Sequence, residues 1–412
     1  MHTTKLSLLV GGVLLFLSGC EPNTPASRPA GKRLDTPAGP DSGQPRLYAT
    51  DDGTVWMSWL APVDDSTHAL RVATLDGTTW STPETVATGT DWFVNWADLP
   101  SVRPLPGGRA AAHVLQSNGP SPLAYAVRIT QRASDGSWHA PVTPHADDSP
   151  TEHGFVSMVP WPGGRLLAVW LDGRKMSGDG HGRGTMTLRS AVLDSSGTVR
   201  QRAQIDGRTC ECCATSLVRV GDEALVAYRD RSEDEVRDIS LARFDGTDWS
   251  APTRLHADGW QIEGCPVNGP ALAARGERVV AAWFTAAGGT PRVKAALSSD
   301  GGHRFTEPVV VAEGQTKGRV DAVLLDDGAA VSWLAAAGDR GRVRVRPVGA
   351  DGPRSPAVTM ATLPSASRSV GFPKMVRSGE HLYGAWVAPD STTSFSRVHV
   401  SRVPVRAVRG DQ

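Results

Sequence analysis

The sequence predicts an all-β fold, a β-propeller of four-stranded blades, seven in number. Three observations carry that expectation. A short strand ending in an aromatic residue recurs: VWMSWL, LLAVWL, ALVAYRD, VVAAWF, AAVSWL and LYGAWV, anchored on Trp59, Trp170, Tyr228, Trp283, Trp333 and Trp386. A degenerate copy, RAAAHVL, places Val114 in the gap, so consecutive anchors stand 55, 56, 58, 55, 50 and 53 residues apart. A period this regular is the mark of a repeat architecture. Within each unit apolar residues alternate between Gly, Asp, Asn and Pro punctuation, as in successive short strands, and no segment sustains a helical period.

A second element recurs late in the units: LDGTTWSTP, SDGSWHAP, FDGTDWSAP and SSDGGHRFTEP. The last matches Ser-x-Asp-x-Gly-x-x-aromatic through Ser298, Asp300, Gly302 and Phe305. Here the chain resembles the Asp-box (BNR-repeat) β-propellers, the superfamily that includes sialidases, over nearly all of residues 45–408. The resemblance implies a structural hairpin turn between third and fourth strands, with its aromatic under the next blade. Sialidases have six blades, which is the alternative count. The last repeat stops after about three strands, so ring closure is expected to borrow a strand from near the N-terminus.

Residues 1–20 carry Lys5, then an apolar run from Leu6 that is too short for a membrane span. The run ends on Leu17-Ser18-Gly19-Cys20, which resembles a bacterial lipobox. That resemblance implies an exported lipoprotein cleaved before Cys20, acylated on its thiol and held to the membrane of the cell envelope. Glu21 is unlike an inner-membrane retention signal, so the outer membrane is expected if the host has two. Residues 21–44, rich in Pro, Gly, Ser and charge, read as a flexible tether. The 43 basic and 43 acidic residues cancel without a basic block, which argues against a nucleic-acid partner.

In a propeller the blade-to-blade loops share a face with the loops between second and third strands. Here they are DWFVNWAD, PTEHGFV, GRTCECCATS, GWQIEGCPVNGP, KGRVDAV and SASRSVGF. They bring Trp92, Trp96, Asp98, Glu152, His153, Trp260, Asn268, Arg319, Asp321 and Arg368 to one face. WLDGRKMSGDGHGRG and YRDRSEDEVRD add Asp172, Arg174, Arg229, Asp230, Arg237 and Asp238. The polar load is expected in blades three to six. The tryptophans suit stacking on sugars, and paired carboxylates among Asp172, Asp230 and Asp238 suit acid–base chemistry, while Asp, Arg and Gly equally serve turns and salt bridges.

Apart from Cys20, the cysteines are Cys210, Cys212, Cys213 and Cys265. Aligning the units on Tyr228 and Trp283 sets Cys210 opposite Cys265, so all four thiols are expected in one patch. An exported chain favours disulfides: Cys212–Cys213 with Cys210–Cys265, or pairings such as Cys210–Cys212 or Cys213–Cys265. Thiolates near His153 would instead suit Cu(I) or Zn(II), and redox-active thiols are a third reading. No other cofactor is expected.

Sialidase chemistry needs three arginines, a Tyr–Glu nucleophile pair and an Asp acid. The nearest match to the early arginine motif is Pro45-Arg46-Leu47-Tyr48, which lacks the following proline. Of the other tyrosines, Tyr228 and Tyr383 lie on anchor strands and Tyr125 reads as mid-strand. A recognisable sialidase set is therefore absent. YRDRSEDEVRDIS, GCPVNGPA and GRVDAVLLDDG resemble segments of exported bacterial sialidase-like lipoproteins. The expectation is an envelope-anchored propeller that binds a glycan or protein ligand on its polar channel face. A glycoside hydrolase or lyase is the alternative, and a Cys/His metal or redox protein the second.

Overall fold

The computed structural model describes residues 31–176, 184–389 and 395–410. The expected signal segment, Cys20 and the first part of the tether lie outside them. The described chain is a ring of seven antiparallel blades: residues 43–89, 101–132, 153–209, 216–254, 271–313, 316–363, and 374–404 joined by 32–34. Seven, not six, is the blade number. The second blade has three strands, and its fourth is reduced to isolated bridges, Ile129–Val142 and Arg132–Trp138. Among the described residues helix is confined to Val405–Arg409 and two single 3-10 turns. No helix among the described residues is long and apolar enough to cross a membrane.

Lys32–Leu34 closes the ring by pairing antiparallel with Ser396–Pro404, with Arg33 opposite Ser401. The N-terminal strand expected for closure thus lies inside the 21–44 segment read as tether. The ordered propeller starts before residue 45, because the last blade lacks an outer strand of its own.

The anchor strands are second in each blade and buried on both faces, which explains their nearly continuous apolar runs. Leu166 to Leu171 are all at most 1% exposed. Trp59, Trp170, Tyr228 and Trp283 are equally buried and sit between neighbouring blades. Three anchors satisfy their polar tips with an aspartate: Trp170 with one of its own strand, Tyr228 with one of the preceding blade and Trp283 with one of the segment before its blade. Trp170 donates to Asp172 at 2.9 Å, Tyr228 to Asp206 at 2.5 Å and Trp283 to Asp258 at 2.6 Å. A buried indole or phenol needs such a partner.

The turn at Ser298–Phe305 joins the third and fourth strands of blade 5. Ser298 Oγ accepts from Gly302 N at 2.9 Å, and Asp300 accepts from Arg304 N at 3.0 Å. The aromatic packs on the preceding blade, not the following one. Phe305 joins the Leu225–Trp283 cluster, Trp249 donates back to Ser190, and Trp138 donates back to Glu84. The fourth strand is the outer edge, so its turn overhangs the blade already laid down.

Candidate functional site

The register defines one equivalent position on the innermost strand of every blade: the residue opposite the one preceding the anchor. Around the ring it is Arg46, Ser101, Ser157, Ser216, Ala271, Asp321 and Lys374. Blades 2 to 5 are small and neutral there, whereas blades 6, 7 and 1 are charged. The polar groups expected in blades three to six are present in their loops, but at this innermost position only Asp321 of blade 6 is one of them. Those loops are rich in charge, but their charges are spent on one another. The unspent charge lies across the seam where the ring closes.

Two more cations join Arg46 and Lys374 from the blade 6 and blade 6–7 segments. Trp96 stacks on Phe372 with centroids 5.7 Å apart. The Arg319 guanidinium lies 5.1 Å from the Trp96 ring and 5.6 Å from the Phe372 ring. Arg368 lies 5.5 Å from Trp96, and Lys374 5.7 Å from Phe372. Arg103, on the inner strand of blade 2, covers the Tyr48 ring at 4.0 Å. Cations on aromatic faces keep some stabilisation while leaving their N–H groups available.

Among the described residues, none of Arg46, Arg103, Arg319, Arg368 and Lys374 is in ion-pair contact with a carboxylate. Arg46 Nε and Arg103 Nε are buried without a hydrogen-bond partner. Burial pulls Lys374 down to about 8, with the Arg46 charge adding to the effect against Asp321. Burial likewise lowers Arg319 to about 10, with Arg368 adding to it. The nearby acids are Asp98 and Asp321. Asp321 is committed to the backbone of Ala322 and Met375, at 3.0 and 2.9 Å.

Asp98 is the hub of a buried acid cluster. It accepts from Phe155 N at 2.8 Å and from the Tyr125 hydroxyl at 3.4 Å, and its Oδ1 is buried without a partner. Tyr125 also donates to Glu152 at 2.7 Å. Gly154 permits this approach, since a Cβ there would stand 1.9 Å from Asp98 Oδ2. Burial raises Asp98 to about 7 against its hydrogen bonds and the Arg46 charge. It raises Glu152 to about 8, against the Tyr125 hydrogen bond and with help from Asp98. A Tyr–Glu pair thus exists that the sequence reading missed. Tyr125 opens its strand rather than lying mid-strand, but it is 1% exposed beneath the stacked Phe93 ring at 4.0 Å, so it is not presented to a substrate.

Most of the remaining expected site residues are structural. Asp172 holds Trp170, the Arg174 guanidinium at 2.6 and 2.8 Å and, more distantly, His153 at 3.8 Å. His153 also meets Asp147 at 3.0 Å and stacks on His145. Its other hydrogen-bond partners are the backbone carbonyls of Tyr125 and Thr151, and none of these contacts is a thiol. Asp238 binds the backbone of Gly259 and Trp260, and Asp230 binds Ser240. Trp260 is buried against Phe284, and Trp92 packs on the core between blades 1 and 2. Of the three tryptophans expected to stack on a ligand, Trp96 alone joins the cationic cluster.

The four cysteines are free thiols, which corrects the expectation of disulfides. Cys210 Sγ stands 3.4 Å from Cys213 and 3.9 Å from Cys212, well beyond the ~2.05 Å of a bond. Cys210 and Cys213 are buried, Cys212 is half-buried and Cys265 is exposed. Asn268 connects this patch to the cations. Its N–H donates to Cys213 Sγ at 3.3 Å, and its Oδ1 accepts from Arg319 N at 2.7 Å.

The sequence signal for the missed Arg46 and Lys374 was positional: a charge about a dozen residues before an anchor marks both, as it marks Asp321. No protein-family model and no curated protein matches the sequence. Solved structures do. A protein of unknown function from Dyadobacter fermentans is 12% identical over 93% of this chain and 100% of its own, with a TM-score of 0.53. The NanB sialidase K499G mutant of Streptococcus pneumoniae is 12% identical over 92% and 71%, at 0.48. A Penicillium chrysogenum α-L-arabinanase complexed with arabinobiose is 12% identical over 93% and 99%, at 0.47. What is shared is the fold.

Proposed function

We propose that the protein binds an acidic saccharide at the mouth of its channel, over the seam formed by blades 6, 7 and 1. The observation that carries this reading is the group Arg46, Arg103, Arg319, Arg368 and Lys374, five cations without a carboxylate in ion-pair contact among the described residues, three of them (Arg319, Arg368 and Lys374) set around the Trp96–Phe372 stack and Arg103 over Tyr48. Partly buried cations held below their ordinary pKa by burial and by a neighbouring arginine, as Arg46, Arg319 and Lys374 are, stand there at a cost, and a ligand carboxylate or sulfate relieves it. The aromatic faces supply an apolar floor for a sugar ring. An anchor at Cys20 would place this face at the cell envelope.

A carbohydrate-cleaving enzyme is the second reading, favoured by the Tyr125–Glu152–Asp98 cluster. The burial of Tyr125 argues for binding over cleavage.

The test is calorimetric titration with a uronic-acid oligosaccharide, its sulfated counterpart and a neutral one of equal length. Binding of an acidic ligand, lost by at least tenfold in Arg319→Met or Arg368→Met, is expected. Equal affinity for acidic and neutral saccharides, or none for either, removes the proposal. Reducing ends released during incubation would favour the enzyme.

A further inference from the structure

We infer that Cys210, Cys212 and Cys213, with Cys265 at the rim, form a binding site for a single thiophilic metal ion of the Cu(I) or Zn(II) type. The Sγ atoms of the first three lie mutually within 4.8 Å. Two of the separations are 3.4 and 3.9 Å. Thiolates around one ion at ~2.3 Å must stand about 3.8–4.0 Å apart, whether the arrangement is tetrahedral or trigonal. The 3.9 Å separation matches that spacing and the 3.4 Å one falls a few tenths of an ångström short of it, while both are far too long for disulfides.

The surroundings suit thiolates. Arg237 Nη1 donates to Cys210 Sγ at 3.2 Å and is itself positioned by Glu211 at 2.9 Å and Glu235 at 2.8 Å. The Asn268 N–H donates to Cys213 Sγ. Such donors orient ligating sulfurs and compensate the charge that a multi-thiolate site keeps after the cation enters. Burial works against ionisation at Cys210. Its hydrogen bonds with Cys212 and Cys213 and the Arg237 charge outweigh burial, so this thiol sits well below its ordinary value. Burial with neighbouring thiols holds Cys213 up instead. The thiols give their protons to solvent as the ion binds. Cys265, from the blade 4–5 loop, lies near enough to Cys212 to raise its thiol and is exposed, the place of an outer ligand. Sulfur donors without a carboxylate or water ligand select a soft ion over Mg²⁺ or Ca²⁺.

The experiment takes the intact protein, reduced and desalted under nitrogen, and titrates it with Cu(I) or Zn(II) against a chromophoric chelator. Native mass, metal content and reactive thiols are read together. One ion per chain is expected, with a thiolate charge-transfer band in the ultraviolet for Cu(I) and protection of three or four thiols from alkylation. Three protected thiols with Cu(I) preferred indicate a trigonal site, and four with Zn(II) preferred a tetrahedral one. Cys210→Ser and Cys213→Ser put a hydroxyl in the core and can fail to fold, so Cys212→Ser is the deciding variant. It should keep its melting temperature without metal while losing at least 100-fold in affinity. Reduced protein that takes up no ion against the chelator, or uptake unchanged in Cys212→Ser, overturns the inference.

Discussion

Arg319 and Asn268 are joined by a bond that fixes the cationic face: the Arg319 N–H donates to Asn268 Oδ1 at 2.7 Å. Arg319 needs that bond because it holds a positive φ of 52°, which a side chain of this size rarely adopts. The preceding Gly318 makes room, since a Cβ there would stand 2.3 Å from Asn268 Oδ1. The guanidinium is then pinned through Nη1 to Ser367 O at 2.9 Å and Gly371 O at 2.7 Å. Its remaining N–H groups stay beside Trp96.

Asn268→Ala should leave a buried N–H unsatisfied and release the strained turn, at about 1–3 kcal/mol of stability. Urea unfolding measures that loss, and saccharide titration should show weakened binding although Asn268 itself is not a cation. Unchanged binding would mean that Arg319 does not depend on this bond for its placement.

Binding of an acidic saccharide should weaken as pH rises from 6 to 9. The ligand carboxylate is already ionised across this range. Asp98 gains a negative charge through about 7, and Lys374 loses its positive charge through about 8. Both changes reduce the attraction. Asp98→Asn should remove the lower step and Lys374→Met the upper one, in calorimetric titrations repeated across pH. A profile flat from 6 to 9 would mean that neither group faces the ligand.

The ring was legible from the anchors because the Trp or Tyr of six blades, and Val114 in the second, meet the same demand, burial between two sheets. The gathering of Cys210 with Cys212 and Cys213 was legible for the simpler reason that they are nearly adjacent in sequence. The Tyr125–Glu152–Asp98 cluster was not, because its members come from the edges of different blades and neither periodicity nor spacing encodes which edges meet. Arg46 stood in a quoted motif but was weighed only against a family pattern. Its partners across the seam, Asp321 and Lys374, lie at the far end of the chain.

Stability should fall between pH 4 and 8, and the buried acid cluster is the cause. Asp98 and Glu152 have folded values raised to about 7 and about 8. Between its unfolded and folded values each is protonated in the native state and ionised in the unfolded one, so the unfolded chain binds fewer protons and stability declines with pH. Asp98→Asn and Glu152→Gln should each flatten their part of the profile. Chemical unfolding at half-unit pH intervals reads it directly. A rise in stability across that window would show that both acids are ionised in the native state.

Arg229 tests whether blades 4 and 5 are fixed by a single buried fork. It is 1% exposed and has no carboxylate partner among the described residues. Its Nε donates to Asn268 O at 2.9 Å, Nη1 to Arg237 O at 2.6 Å and Nη2 to Phe284 O at 2.7 Å, and its plane lies 4.8 Å from the Trp260 ring. Three carbonyls from three segments converge on one planar group, and two of those segments carry Asn268 and Arg237, which touch the thiols. Arg229→Met would keep most of the volume but strand the carbonyls, for a loss of about 3–5 kcal/mol. Arg229→Lys keeps the charge but offers no fork, so it should recover only part of that loss. In both variants, if still folded, thiol alkylation should accelerate at Cys210 and Cys213, because Asn268 and Arg237 are no longer held against them. Full recovery by lysine would mean that the buried charge, and not the planar geometry, is what the three carbonyls require.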